Sequence, residues 1–132
     1  MADKNNFKKL AGEWFLKSEE DELSARDILK DKEGAPSTVC FLSQQMAEKL
    51  LKRYLVYKET EFPKIHDLDK LIELCKEKNI SFNNFKEGAQ ELSDFYISTR
   101  YPGDYPQFTW QDAKRAFIFA SQIKSFVLDN IK

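Results

Sequence analysis

Glycine and proline are scarce in this chain, with four of each in 132 residues. Both residues punctuate regular structure, so long uninterrupted helices have room to form. Cysteine is rarer still, at Cys40 and Cys75, and His66 is the single histidine. These three are too few and too badly spaced for a metal centre, and neither a metal nor another cofactor is expected. Both cysteines fall on apolar helical faces and read as core thiols. No apolar run approaches the ~20 residues that span a bilayer. The N-terminal segment Met1-Ala2-Asp3-Lys4-Asn5-Asn6 carries no apolar signal region. The expected compartment is the cytoplasm, with no membrane partner. Charge of one sign is lacking too: 21 Lys and Arg stand against 22 Asp and Glu, a net charge of −1. Bulk attraction to nucleic acid or membrane is thereby excluded, and any phosphate contact has to come from a local cluster. A glycine-rich phosphate loop, a paired-carboxylate motif and a nucleophile elbow are all missing, so no catalytic residue is assigned.

What the sequence does contain is helical periodicity, in five successive segments over one domain, residues 1–132. The first is predicted from about Asn6 to Lys30, with Phe7, Leu10, Ala11, Trp14, Ser18, Ala25, Ile28 and Leu29 on its stripe. Gly34 and Pro36 break it, and Ser37 is the expected cap of a second helix reaching about Lys58. A shorter third helix starts at Asp67, a good N-cap, and carries Leu68, Leu71, Ile72 and Cys75. Ser81 is the expected cap of a fourth, with Phe82, Phe85, Ala89, Leu92 and Tyr96. Thr109 followed by Asp112 resembles a capping box for a fifth, with Ala113, Ala116, Phe117, Ala120, Ile123 and Val127 facing in. Short loops make consecutive helices antiparallel neighbours. The fold class is all-α, an up-and-down bundle of four main helices plus a short one.

Several polar groups stand where apolar ones belong. On the second helix Val39, Cys40, Met46, Ala47, Leu50, Leu51, Tyr54 and Leu55 form one broad face. Gln44 falls inside it, and Glu48 and Lys49 lie at its margins. An unpaired buried amide costs about 1–3 kcal/mol, so partners are expected. Asp21 lies near the axis of the first stripe, and Arg100 stacks over Phe82, Ala89 and Tyr96 if the fourth helix reaches it. A buried carboxylate needs a cation, so Asp21 and Arg100 are expected to meet, directly or through one side chain. That cluster reads as an ion-pair network fixing helix register, or as a cleft for a phosphate held by Arg100 and Lys49. His66, just before a helix start, reads as a residue whose ring bonds a backbone group. Leu16 and Leu23 on the first helix, and Ile118, Phe119 and Phe126 on the last, face away from their stripes. Several such residues imply a second buried face, hence a homodimer.

In order, Trp14, Asp21 and Ala25 are followed by Cys40-Phe41, then Gln44-Gln45, then Ala47-Glu48-Lys49. Next come Pro63-Lys64-Ile65-His66-Asp67-Leu68 and Ser98-Thr99-Arg100-Tyr101-Pro102-Gly103-Asp104, and an alanine-patterned last helix. This order resembles the HEPN domain (higher eukaryotes and prokaryotes nucleotide-binding) in its small stand-alone prokaryotic form, over roughly residues 8–128. The resemblance implies four main helices plus a short one, usually a homodimer. It further implies a nucleotide or RNA ligand and, as partner, a minimal nucleotidyltransferase in a toxin–antitoxin-like pair. It carries over Asp21, Gln44, Gln45, Glu48, Lys49, His66, Arg100, Tyr101 and Asp104 as site residues. Many members are metal-independent ribonucleases marked by an arginine with a histidine four to six residues later. Here the stretch from Tyr101 to Gln107 holds no histidine, and Leu42 stands where another is common. The expectation is a phosphate-binding module without efficient catalysis. The alternatives are a divergent ribonuclease, with His66 or Tyr101 moving the proton, and a purely structural dimeric adaptor.

Overall fold

The structure, a computed structural model, describes residues 4–98 and 107–131. Five α-helices follow one another: α1 (Lys4–Asp31), α2 (Pro36–Tyr57), α3 (Leu68–Lys78), α4 (Lys86–Ser98) and α5 (Trp110–Asp129). A 3₁₀ helix, Ile80–Phe85, leads into α4. Among the described residues there is no strand. Four longer helices and the short α3 make the expected all-α bundle.

The helix ends follow local chemistry. α1 stops at Lys32 (φ +55°), whose N–H bonds Ile28 O at 2.8 Å. Gly34 then takes φ +103°, a conformation that favours glycine. α2 starts without a side-chain cap: Ala35 is the N-cap and Pro36 the first helical residue. Ser37 therefore does not cap it. Proline needs no partner for a missing N–H and arrives with helical φ. Asp67 does cap α3, accepting from Asp69 N at 2.9 Å. Thr109 and Asp112 form a complete capping box on α5.

The start of the fourth segment also differs from expectation. Asn79, not Ser81, is the cap, accepting from the Ser81 N–H at 3.0 Å. The turn it opens is 3₁₀, where residues i and i+3 eclipse. Phe82 and Phe85 therefore point the same way, and both meet Phe126 of α5, with ring centroids 4.9 and 5.4 Å away.

α2 is the central element, packed against α1, α3, α4 and α5. Buried residues occur on nearly every side of it, from Val39 to Val56. The α1–α2 pair is antiparallel, because Trp14 meets Lys52 and Asp21 meets Lys49. The α4–α5 pair is antiparallel by the same logic, with Arg115 on Glu91 and Phe119 on Gly88. Cys40 and Cys75 are buried free thiols, as expected of core cysteines. Burial pushes the Cys40 thiol up to about 12 and raises that of Cys75 as well. No helix among the described residues is long and apolar enough to cross a membrane.

Candidate functional site

The polar positions of α2 meet their partners at a seam formed by α1, α2 and the segment before α3. Gln44 is fully buried. Its amide donates to the His66 carbonyl at 3.2 Å and its carbonyl accepts from Gln45 Nε2 at 2.7 Å. The backbone of His66, rather than its ring, is thus what satisfies the buried amide. The ring turns to Glu48, with Nδ1 3.1 and 3.2 Å from the two carboxylate oxygens.

Glu48 is no margin residue. Its side chain is 4% exposed, and the ammonium of Lys52, itself 6% exposed, sits 3.0 Å from it. Lys52 also lies 5.2 Å from the centroid of the Trp14 ring. A buried ammonium held between a carboxylate and an indole face gains from both. One turn away, Lys49 donates to Asp21 at 2.5 Å, with 19% and 15% of their side chains exposed. Gln44, Gln45, Glu48, Lys49, Asp21 and His66 are therefore brought together as one seam. Arg100, Tyr101 and Asp104 lie outside the described residues, and so does the expected Asp21–Arg100 contact. Within the described residues the cation on Asp21 is Lys49.

Sequence reasoning passed over Lys52, although Glu48 and Lys52 have the i,i+4 spacing at which an acidic and a basic side chain meet on a helix. It also missed Glu22, buried on α1, which accepts from Lys124 of α5 at 2.6 Å and Arg26 at 2.9 Å. Arg53 stacks its guanidinium 4.2 Å from the Phe15 ring centroid. Burial lowers the Arg53 pKa from its ordinary value, and nearby Glu19 opposes the change. A groove of about 550 Å³ opens between the linker and α3, lined by Pro63, Ile65, Leu74 and Lys86. It includes none of the seam residues. No cluster of His, Cys, Asp and Glu able to hold a metal exists among the described residues.

The arrangement of a central helix, an antiparallel α1 and an inserted short helix has a counterpart in sequence. The family profile of the HEPN domain matches residues 11–131. The chain belongs to the HEPN family. A crystal structure of an archaeal HEPN homologue agrees with this fold at a TM-score of 0.71. The two are 27% identical, and the match covers 92% of this chain and 98% of that one. No curated protein matches the sequence. Membership in this family makes the chain a nucleotide- or RNA-related helical module in general terms.

Proposed function

We propose that this HEPN chain binds the phosphate of a nucleotide or RNA at the mouth of the α1–α2 seam. Lys49 and Arg100 supply the cations, and turnover is not efficient. The supporting observation is Lys49 itself. It stands at the edge of a buried polar network, partly exposed, and Asp21 holds it in place. A placed ammonium loses little freedom when an anion arrives. The chain works as a homodimer beside a minimal nucleotidyltransferase in a toxin–antitoxin-like pair, and family membership is what supports that pairing. Catalysis would need a proton acceptor near the attacking hydroxyl, and the segment after Arg100 contains no histidine.

A second reading has its own observation. Lys49 and Asp21 already neutralise each other, as do Lys52 and Glu48. A purely structural adaptor, with these pairs fixing helix register, needs nothing more.

Calorimetric titration of the protein with a nucleotide panel and a short single-stranded RNA separates these readings. Losing one charge-assisted contact weakens binding by about tenfold or more, which is the effect expected for Arg100→Ala. Lys49→Ala is expected to act in the same direction. No binding to any ligand leaves the adaptor. Robust metal-free RNA cleavage, abolished by both His66→Ala and Arg100→Ala, establishes a ribonuclease instead. Co-purification with a minimal nucleotidyltransferase tests the pairing.

A further inference from the structure

The groove of about 550 Å³ between the linker and α3 lies outside the polar seam and has a chemistry of its own. Pro63, Ile65 and Leu74 form its apolar part. Ile65 and Leu74 pack inward against the core and are only half-buried, so they are held in place and still offer surface. The linker wall is fixed as well. The residue after Ile65 is His66, whose carbonyl accepts from the buried Gln44 amide. A wall that is already ordered loses little freedom on binding.

The charges around that apolar floor are uneven. Asp69, Glu73 and Glu77 line the groove from α3, each four residues from the next. That spacing sets them along one face of the helix, in a row about 12 Å long. Lys70 and Lys86 are the cations of the lining, so carboxylates exceed ammonium groups by one. The pairs that Glu73 makes are loose: Lys76 lies 3.7 Å away and Lys86 3.9 Å, and the carboxylate is 52% exposed. Exposed pairs contribute little, so cations from outside can replace them. Glu77 makes no ion pair with any described residue. The row therefore has capacity for added positive charge.

We propose that this groove docks an amphipathic helix of a partner protein. Its apolar side chains rest on Pro63, Ile65 and Leu74, and lysines or arginines four residues apart stand over Glu73 and Glu77. A helix fits because its own step of four residues is about 6 Å, the step of the carboxylate row. An amphipathic helix also presents apolar and charged groups on adjoining faces, as the floor and the row do. Among the described residues there is no strand, hence no sheet edge for an extended segment to join. The surface is defined by this chemistry and does not depend on phosphate binding at the seam. The docked helix lies against the linker that closes the seam, which puts the partner beside the proposed phosphate site.

The probes are two synthetic amphipathic helices of about four turns, one of leucine and lysine, the other of leucine and glutamate, titrated by fluorescence anisotropy. The lysine helix should bind, and the glutamate helix should bind about tenfold more weakly or less. Methyl NMR should show Ile65 and Leu74 shifting as the lysine helix saturates. Leu74→Asn should weaken its binding about tenfold by removing an apolar anchor. Glu73→Lys with Glu77→Lys alters exposed side chains only, so the fold persists, and the preference between the two helices should reverse. Absence of binding, equal binding of both helices, or binding that leaves those methyls unmoved overturns the proposal. So does an unchanged preference in the double-lysine variant. Light scattering covers another occupant: a dimer that Leu74→Asn turns into a monomer assigns the groove to a second copy of this chain and overturns the partner helix. None of these failures bears on phosphate binding, which the nucleotide titration reads separately.

Discussion

The two faces of the core that meet α1 and α5 are joined by different means. Along α1 and α2 the contacts are directional: Lys49 on Asp21, Lys52 on Glu48, Gln44 on the His66 carbonyl. Between the 3₁₀–α4 segment and its neighbours α2 and α5 they are mainly rings, beside one exposed Arg115–Glu91 pair. Phe82 lies 4.6 Å from Tyr54 and 4.9 Å from Phe126, centroid to centroid, and Phe85 lies 6.0 Å from Phe119. Ring packing depends on volume and tolerates changes of salt and pH. Charge pairing depends on complements, and losing one member does more harm than losing both. A seam of the second kind is a poor way to gain stability, since buried pairs barely repay desolvation. It is a good way to fix which groups stand where, and that is what a binding site needs.

The largest expected effect lies on the aromatic side. Phe82 is fully buried and touches three other rings. Phe82→Ala should lower unfolding free energy by about 3–5 kcal/mol, measured by urea titration. A loss below about 1 kcal/mol, the scale of an ordinary surface change, would show that this face is not the mechanical core.

The polar seam should answer next, and non-additively. Glu48→Ala leaves the Lys52 ammonium buried against Trp14 without its carboxylate, and should cost about 3 kcal/mol. Replacing both residues together, as Glu48→Leu with Lys52→Met, should recover most of that loss. A double-mutant cycle that closes with simple additivity would show that the pair is not coupled. The comparison between the faces would then collapse.

The two faces were not equally legible in the sequence. Gln44 stood out because an amide inside an apolar face demands a partner, and Asp21 stood out on the same grounds. The partner of Gln44 could not be named, and Asp21 was matched with Arg100, outside the described residues, while Lys49 went unnoticed as its cation. A helical wheel shows which way a group points but not what lies opposite. His66 supplied its carbonyl to Gln44 and its ring to Glu48, a division of labour that only the path of the linker decides. The Phe82 and Phe85 positions were placed on a regular helix because their spacing of three suits either helix type. The 3₁₀ turn changes the direction of both rings. Phe119 and Phe126 were expected to face a dimer partner, yet both pack against the core. Asn79 and Gly88 explain this together: one starts the tight turn, and the other makes room for Phe119.

Gly88 sharpens the same point at smaller magnitude. A Cβ placed there would lie 2.2–2.7 Å from the Phe119 ring, far inside contact distance. Gly88→Ala should therefore displace the ring, and overpacking of this kind costs about 1–3 kcal/mol. The gain in helix propensity, about 1 kcal/mol, offsets part of it. Pairing Gly88→Ala with Phe119→Leu should relieve the clash, and a double variant no more stable than Gly88→Ala alone would contradict this geometry.

The smallest effect on folding is expected at the back of α1, where the comparison turns from the core to the surface. Leu16 and Leu23 are 61% and 58% exposed, and Ile118 on α5 is 46% exposed. With Phe119 and Phe126 turned inward, these three are what remains of the apolar surplus that pointed to a homodimer. A charge at an exposed helical position changes stability by less than about 0.5 kcal/mol, so Leu23→Glu should leave the monomer fold intact. If α1 closes the dimer, the same change places a carboxylate in an apolar contact. It should then shift light scattering at micromolar concentration from dimer to monomer. Phe119→Glu, which an exposed position would tolerate equally, should instead unfold the α4–α5 contact because its ring sits over Gly88. The two variants therefore part company: Leu23→Glu folded and monomeric, Phe119→Glu destabilised. Both remaining folded dimers would place the interface elsewhere and the Phe119 ring outside the core.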